Sequence, residues 1–278
     1  MADSDSVHSL FDIRGKVAVV VGGSGALGGA IARGLGQAGA RVAIMGRRSD
    51  ACERVAAELG ALGAEAIAMP CDALDRDALT RAAVDIEARL GQVDILVNAA
   101  GGNDPRATTT PGQPFFELDP AAIEAVFANN MRSVTLPCQV FGRGMARRGS
   151  GAILNIASMS ALRPLTQVGA YGAAKAAVVN FTQWLATYMA QQYGPGIRVN
   201  ALAPGFFLTE QNRFLLFDAG TKRWTSRGQT IVAHTPMGRL GEPDDLIGAA
   251  LWLVSPAAAF VTGIVVPVDG GFSAYSGV

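Results

Sequence analysis

Two side chains that could move a proton stand four residues apart in "AYGAAK": Tyr171 and Lys175, with Ser158 thirteen positions upstream. On a helix that spacing places phenol and ammonium on one face. Reducing a ketone requires hydride at carbon and a proton at oxygen, so the donor acid needs a pKa near the working pH. A free phenol, near about 10, is too weak. An ammonium about 4–5 Å away is worth ~3–4 kcal/mol at an effective dielectric near 20, while desolvation of the phenolate opposes it. The expected balance is a Tyr171 phenol drawn toward neutrality by Lys175, with the Ser158 hydroxyl steadying the carbonyl oxygen. In isolation a Tyr-x-x-x-Lys pair is ordinarily solvated helix surface, so the elements that hold it decide.

Those elements alternate. β-rich runs at 16–21, 41–45, 64–69, 93–97, 151–157, 196–202 and 263–268 are separated by helical patterns at 26–38, 49–62, 75–90, 119–148, 168–193 and 243–254. Strands interleaved with helices predict an α/β fold: a Rossmann-type, doubly wound, seven-stranded parallel sheet with helices on both faces. One domain is expected across 1–278, after a polar N-terminal arm at 1–12. Ligands of such sheets sit at the carboxyl ends of the strands. Two long excursions leave those ends, "GGNDPRATTTPGQPFFE" and the region 205–242, which is expected to form a substrate loop or lid.

Lys plus Arg (23) balance Asp plus Glu (23), so no basic field is available for nucleic acid and a small-molecule partner is expected. Three scattered cysteines, Cys52, Cys71 and Cys138, match no metal-ligand spacing and suit a reducing compartment. The N-terminus is acidic and polar, and no apolar run approaches membrane-spanning length, which predicts a cytoplasmic protein without a membrane partner.

The stretch "VVVGGSGALGGAIARGL" turns a buried strand sharply into a helix through tiny residues. Backbone N–H groups at Gly22, Ser24, Gly25, Leu27 and Gly28 could then reach a pyrophosphate at the positive helix end, although tight packing alone would also use such glycines. After the second strand, Gly46 occupies the position where an acidic residue would bind an unmodified ribose. Arg47 and Arg48 can instead pair with a 2′-phosphate, so NADP(H) is preferred, with NAD(H) possible; the alternative is that they only solvate a helix start.

Taken together these residues resemble the short-chain dehydrogenase/reductase family from about residue 10 to the end. The glycine loop is similar to its TGxxxGxG, with Val21 in place of threonine and Ala26 in place of the middle glycine. The resemblance implies an adenine contact at Asp72 with Ala73, a cofactor-side turn at Asn98, Ala99, Ala100 and Gly101, and a nicotinamide segment in "PGFFLT", namely Pro204, Gly205, Phe207 and Thr209. Asn130 resembles the asparagine that links the lysine to solvent through a water, or is a plain buried amide; Asn129 is its neighbour. With Ser158, Tyr171 and Lys175 it completes the implied catalytic set, the last two also touching the cofactor.

Within the family, "NAAGGN", "RPLT", "GFFLTEQNRFLL" and the tail resemble the D-mannonate oxidoreductases, or fructuronate reductases, of hexuronate breakdown. A sugar acid needs a cation and dense hydrogen-bond donors. The candidates are Asn103, Ser158, Arg163, Gln211, Asn212 and Arg213, with Arg163 or Arg213 for the carboxylate. His234 is set aside as structural, and the lid phenylalanines are expected to pack. The alternatives are a gluconate 5-dehydrogenase or another sugar or uronate carbonyl reductase, and more remotely a non-catalytic dinucleotide sensor. The helices at 119–148 and 168–193 resemble those that pair in family homotetramers.

Overall fold

The computed structural model describes residues 4–209, 216–218, 220 and 223–277. Seven parallel strands form one sheet: β1 (Val17–Val21), β2 (Arg41–Gly46), β3 (Ala66–Pro70), β4 (Val93–Asn98), β5 (Gly151–Ile156), β6 (Ile197–Pro204) and, last in the chain, β9 (Val265–Val268). Their spatial order is β3-β2-β1-β4-β5-β6-β9, so the winding reverses between β1 and β4. The crevice at that reversal is where the sheet can admit a ligand.

Alternation along the strands builds two cores. Val17, Val19 and Val21 of β1 point to one face, together with Leu96, Ile153 and Val199. Ala18 and Val20 point to the other, with Val42, Ile44 and Leu154. Both faces being covered explains why these strands read as unbroken apolar runs. The helices α3 (Ser49–Ala61), α4 (Arg76–Leu90) and α7 (Gly169–Tyr193) match the sequence expectation to within a residue or two, as does α2 (Ala26–Gln37).

Four features differ. The N-terminal arm contains a helix, α1 (Ser4–Leu10). The helix expected over 119–148 is α5 (Pro120–Phe127), a π-helical turn (Ala128–Arg132) and α6 (Ser133–Arg148). The helix expected over 243–254 opens as a 3₁₀ turn (Pro243–Leu246) before α9 (Ile247–Val254). The region 205–242 carries a short antiparallel pair, β7 (Phe217–Asp218) and β8 (Arg223–Trp224), then α8 (Ser226–Ala233).

That region is pinned at its base. Phe207 bridges Gly241, with Leu208 N donating to Gly241 O at 2.9 Å and Gly241 N to Phe206 O at 2.9 Å. Its interior is its own: Leu216, Ile231 and Leu240 are buried against Phe206, Leu208 and Trp224. Phe207 instead joins the main core. Phe214 and Leu215 lie outside the described residues.

Candidate active site

The catalytic side chains are brought together by three elements meeting at the carboxyl edge of the sheet. Ser158 follows β5 and caps a 3₁₀ turn, its Oγ accepting from Ser160 N at 3.2 Å and from Ser160 Oγ at 2.9 Å. Tyr171 is half-buried in the first turn of α7, where the Ser158 hydroxyl favours its ionised form. Lys175, one turn on, is only 4 % exposed; its Nζ donates to Ile156 O at 2.8 Å and stands 5.7 Å from the Tyr171 ring centre.

The acidity expectation is corrected here. Burial pushes the Tyr171 phenol above its ordinary value, and the Ser158 hydroxyl only partly pulls it back. Burial also pulls Lys175 down to about 8. The ammonium thus loses its own hydration, and its hydrogen bond goes to a carbonyl rather than to the phenol. Desolvation is the largest influence on both groups.

Asn130 rather than Asn129 faces inward, because the π turn inserts one residue and rotates the side chain into the protein. Its Nδ2 donates to Val126 O and Gly102 O, both at 2.7 Å, and its Oδ1 accepts from Gly102 N at 3.2 Å. It therefore clamps the turn after β4 next to Lys175. A Cβ placed on Gly101 would lie 3.2 Å from Lys175 Nζ, so only glycine fits between them.

The glycine loop was tested for its fit to a dinucleotide. Gly22 has φ 82 and packs on the Ala99–Ala100 backbone, where an added Cβ would come within 2.6 Å of Ala100 N. Gly28 in turn packs on Gly22 O. These contacts bring the β1 and β4 turns together at the reversal point. Gly25 is the N-cap of α2, with no side chain capping it and no acidic residue in the first turn. The first N–H groups of the helix, including those of Leu27 and Gly28, so form an uncapped positive end suited to phosphate. The residues present fit the group.

Ser24 projects its hydroxyl into the space a side chain at Gly46 would need, beside Cys52. No carboxylate can stand at that position without displacing it. Arg47 and Arg48 are exposed and join no salt bridge among the described residues. Asp72 is exposed, one oxygen accepting from Leu74 N at 3.0 Å, and Ala73 is buried beside it. Pro204 ends β6; Gly205 N donates to Val268 O at 3.0 Å, and an added Cβ there would meet Asp269. Thr209 closes the described part of this segment.

Three of the expected site residues have intramolecular side-chain partners. The Asn98 side chain is fully buried, and its Nδ2 donates to Asn155 Oδ1 at 2.9 Å and to Cys138 Sγ at 3.3 Å. It ties β4 to β5 and α6 instead of facing a ligand. Asn103 Nδ2 donates to Thr108 Oγ1 at 2.8 Å within its own loop. Arg163 is exposed, with Nε donating to Ser273 O of the C-terminal segment at 3.1 Å. Gln211, Asn212 and Arg213 lie outside the described residues. His234 ends α8 with Nδ1 2.9 Å from Thr230 O, a structural position. Among the described residues no cluster of His, Cys, Asp or Glu could hold a metal ion, and no helix is long and apolar enough to cross a membrane.

Gln167, four residues ahead of Tyr171, and Arg227, on α8, form a pair that no motif in the sequence announces. Gln167 has φ 75, and its Oε1 accepts from Arg227 NH1 at 2.6 Å. No local sequence signal marks either.

A family model described as Enoyl-(Acyl carrier protein) reductase matches residues 22–273. An uncharacterized oxidoreductase, UxuB of Bacillus subtilis, is 48% identical over 277 residues, covering 96% of this chain and 98% of that one. A crystal structure with bound NAD from Haemophilus influenza, provisionally assigned as a D-mannonate oxidoreductase, superposes with a TM-score of 0.89 at 42% identity, covering 96% and 98% of the two chains. A gluconate 5-dehydrogenase of Burkholderia cenocepacia, in complex with NADP and tartrate, gives 0.86 at 33% identity, covering 97% and 99%. Similarity of this extent, on a sheet that reverses beside a glycine turn and presents Ser158, Tyr171 and Lys175 at its edge, places the chain in the short-chain dehydrogenase/reductase family of NAD(P)-dependent oxidoreductases.

Proposed function

We propose that this single-domain protein is a cytoplasmic, NADP(H)-preferring oxidoreductase that interconverts D-fructuronate and D-mannonate. The observation that carries the chemistry is the meeting of Ser158, just after β5, with Tyr171 and buried Lys175 on one face of α7, the lysine Nζ 5.7 Å from the phenol ring centre. The whole-length similarity to the Haemophilus structure supports the substrate class. The tartrate-bound relative supports the second reading, a gluconate 5-dehydrogenase, because both substrates are polyhydroxy acids.

When bound, the reduced nicotinamide supplies hydride to the substrate carbon. Ser158 holds the carbonyl oxygen, and Tyr171 donates its proton to that oxygen. Lys175 keeps a positive charge under the phenol as it becomes phenolate, and the Asn130 clamp fixes the turn against which Lys175 rests. A phenol held protonated by burial is in the correct state to act as acid in the reductive direction. Gly25, Leu27 and Gly28 hold the pyrophosphate, Asp72 and Ala73 the adenine, Ala99 to Gly101 and Pro204 to Thr209 the nicotinamide end. Arg47 and Arg48, with the side chain at Gly46 excluded by Ser24, favour a 2′-phosphate.

A homotetramer is proposed through α6 and α7. The outer face of α7 stacks Phe181 on Trp184 at 5.9 Å and Trp184 on Tyr188 at 5.2 Å, and Trp184 is 55% exposed. Light scattering showing a monodisperse monomer at micromolar concentration would remove the assembly. The activity is tested by following NADPH oxidation with D-fructuronate, 5-ketogluconate and keto acids derived from unsaturated uronates. Turnover of D-fructuronate with the highest kcat/KM is expected, and turnover of none of them would overturn the assignment.

A further inference from the structure

We infer that Arg227, on the lid helix α8, is the residue that takes the substrate's carboxylate. This deepens the sugar-acid function proposed above and rests on it. Arg227 is half-buried, yet no carboxylate among the described residues lies within salt-bridge distance of it. Among the described residues, three other arginines near the site are committed elsewhere. Arg106 pairs with Asp104 and Asp119, Arg239 pairs with Asp245, and Arg163 is exposed and bonded to the tail. A guanidinium offers five N–H donors in a planar fork. Here NH1 donates to the neutral amide oxygen of Gln167.

Gln167 ties that cation to the segment just ahead of Tyr171. It lies four residues before Tyr171 and is the one non-glycine residue with positive φ among those described. The strained backbone is held from both sides: Gln167 O accepts from Thr109 N at 2.9 Å, and Gln167 Oε1 accepts from Arg227 at 2.6 Å. Backbone strain of this kind concentrates at functional sites. The loop after β4 and the lid helix are thus tied to one residue immediately ahead of the catalytic turn. A half-buried cation with a neutral anchor is poised for an anion, and its fork geometry matches a carboxylate.

The test is steady-state kinetics of wild type, Arg227→Gln and Arg227→Lys on D-fructuronate, with D-mannonate affinity measured by calorimetry in the presence of NADPH, with which it cannot react. In Arg227→Gln, KM should rise about 10- to 100-fold, the loss of a charge-assisted hydrogen bond, and D-mannonate affinity should fall in parallel. kcat should change far less, and Arg227→Lys should recover part of the loss. Unchanged NADPH affinity and far-ultraviolet circular dichroism establish that the variants fold. If KM and D-mannonate affinity stay within about threefold of wild type, or kcat alone falls, Arg227 is not the carboxylate residue. If wild type reduces only neutral ketoses, the sugar-acid assignment itself fails and takes Arg227's role with it, an outcome visible before any variant is made.

Discussion

Lys175 Nζ stands 5.7 Å from the centre of the Tyr171 ring while donating its hydrogen bond to Ile156 O, so the ammonium lies under the phenol without being bonded to it. It can therefore stabilise a developing phenolate without competing for the hydroxyl that must face the substrate. Removing the proton donor is the direct test. Tyr171→Phe should lower kcat by about 10²–10⁴-fold while leaving the NADPH dissociation constant within about twofold, read by fluorescence titration. Comparable loss of both would point to a distorted site.

The burial of Lys175 has a pH signature. The group titrates at about 8 in the fold instead of its ordinary 10.5. Between those values the unfolded chain binds more protons, so this group makes stability rise with pH there. Below about 8 the full cost of the buried charge is present, up to about 3 kcal/mol at ~1.4 kcal/mol per pH unit. Burial raises the three cysteine thiols, which act in the opposite direction above their ordinary 9.0, so the comparison must be between variants. Relative to wild type, Lys175→Met should gain stability at pH 7, reduced by the lost partner of Ile156 O, and that gain should shrink by pH 10.5. Urea denaturation at the two pH values measures it. A difference that does not move with pH would mean that Lys175 titrates in the fold as it does in the unfolded chain.

At the other end of the cofactor, Arg47→Ala should weaken NADPH by about tenfold or more, the loss of a charge-assisted contact, and leave NADH nearly unchanged. Calorimetric titration of both nucleotides decides it. Equal weakening would assign Arg47 to the start of α3 only.

Gly28→Ala places a methyl group against the backbone carbonyl of Gly22 and beside Ala99. Neither backbone can withdraw without opening the β1–β4 crevice. Overpacking of this kind costs about 1–3 kcal/mol, so a lower melting temperature and loss of detectable dinucleotide binding are expected. Wild-type nucleotide affinity in this variant would show that the crevice does not hold the pyrophosphate.

Asn130→Asp tests the clamp. The amide donates to two carbonyls, Val126 O and Gly102 O, which a carboxylate cannot do. Activity should fall by at least about tenfold with a lower melting temperature, from two unpaired buried acceptors at about 1–3 kcal/mol each. Full activity at an unchanged melting temperature would make the clamp dispensable.

How much of this was legible depends on whether the signal is local. The strands were, because burial on both faces forces unbroken Val, Ile and Ala runs such as "VAVVV". The crevice was, because a glycine-rich turn between strand and helix has few physical uses. Tyr171 and Lys175 were only in context, because a pair at their spacing alone is ordinarily solvated surface and it is Ser158 and the surrounding motifs that single them out. The π turn at Ala128–Arg132 was not: a single inserted residue leaves the apolar pattern on either side intact, so one long helix over 119–148 fits equally well. Asn98 was expected to face the cofactor, but its amide is drawn inward by Asn155 and Cys138, partners 57 and 40 positions away. The direction of the Tyr171 shift depended on how deeply α7 settles against the sheet, a property of packing alone. Arg227 and Gln167 meet across 60 positions and carry no motif.

The excursion between Phe206 and Gly241 starts and finishes at one bridge and keeps Leu216, Ile231 and Leu240 for its own interior. A segment closed at its neck and filled from within borrows little from the sheet beneath it. Beyond Thr209, its sequence can therefore change while the proton donor and the dinucleotide crevice stay as they are. In such an architecture new substrates arise by replacing a module, and the chemistry below is inherited intact.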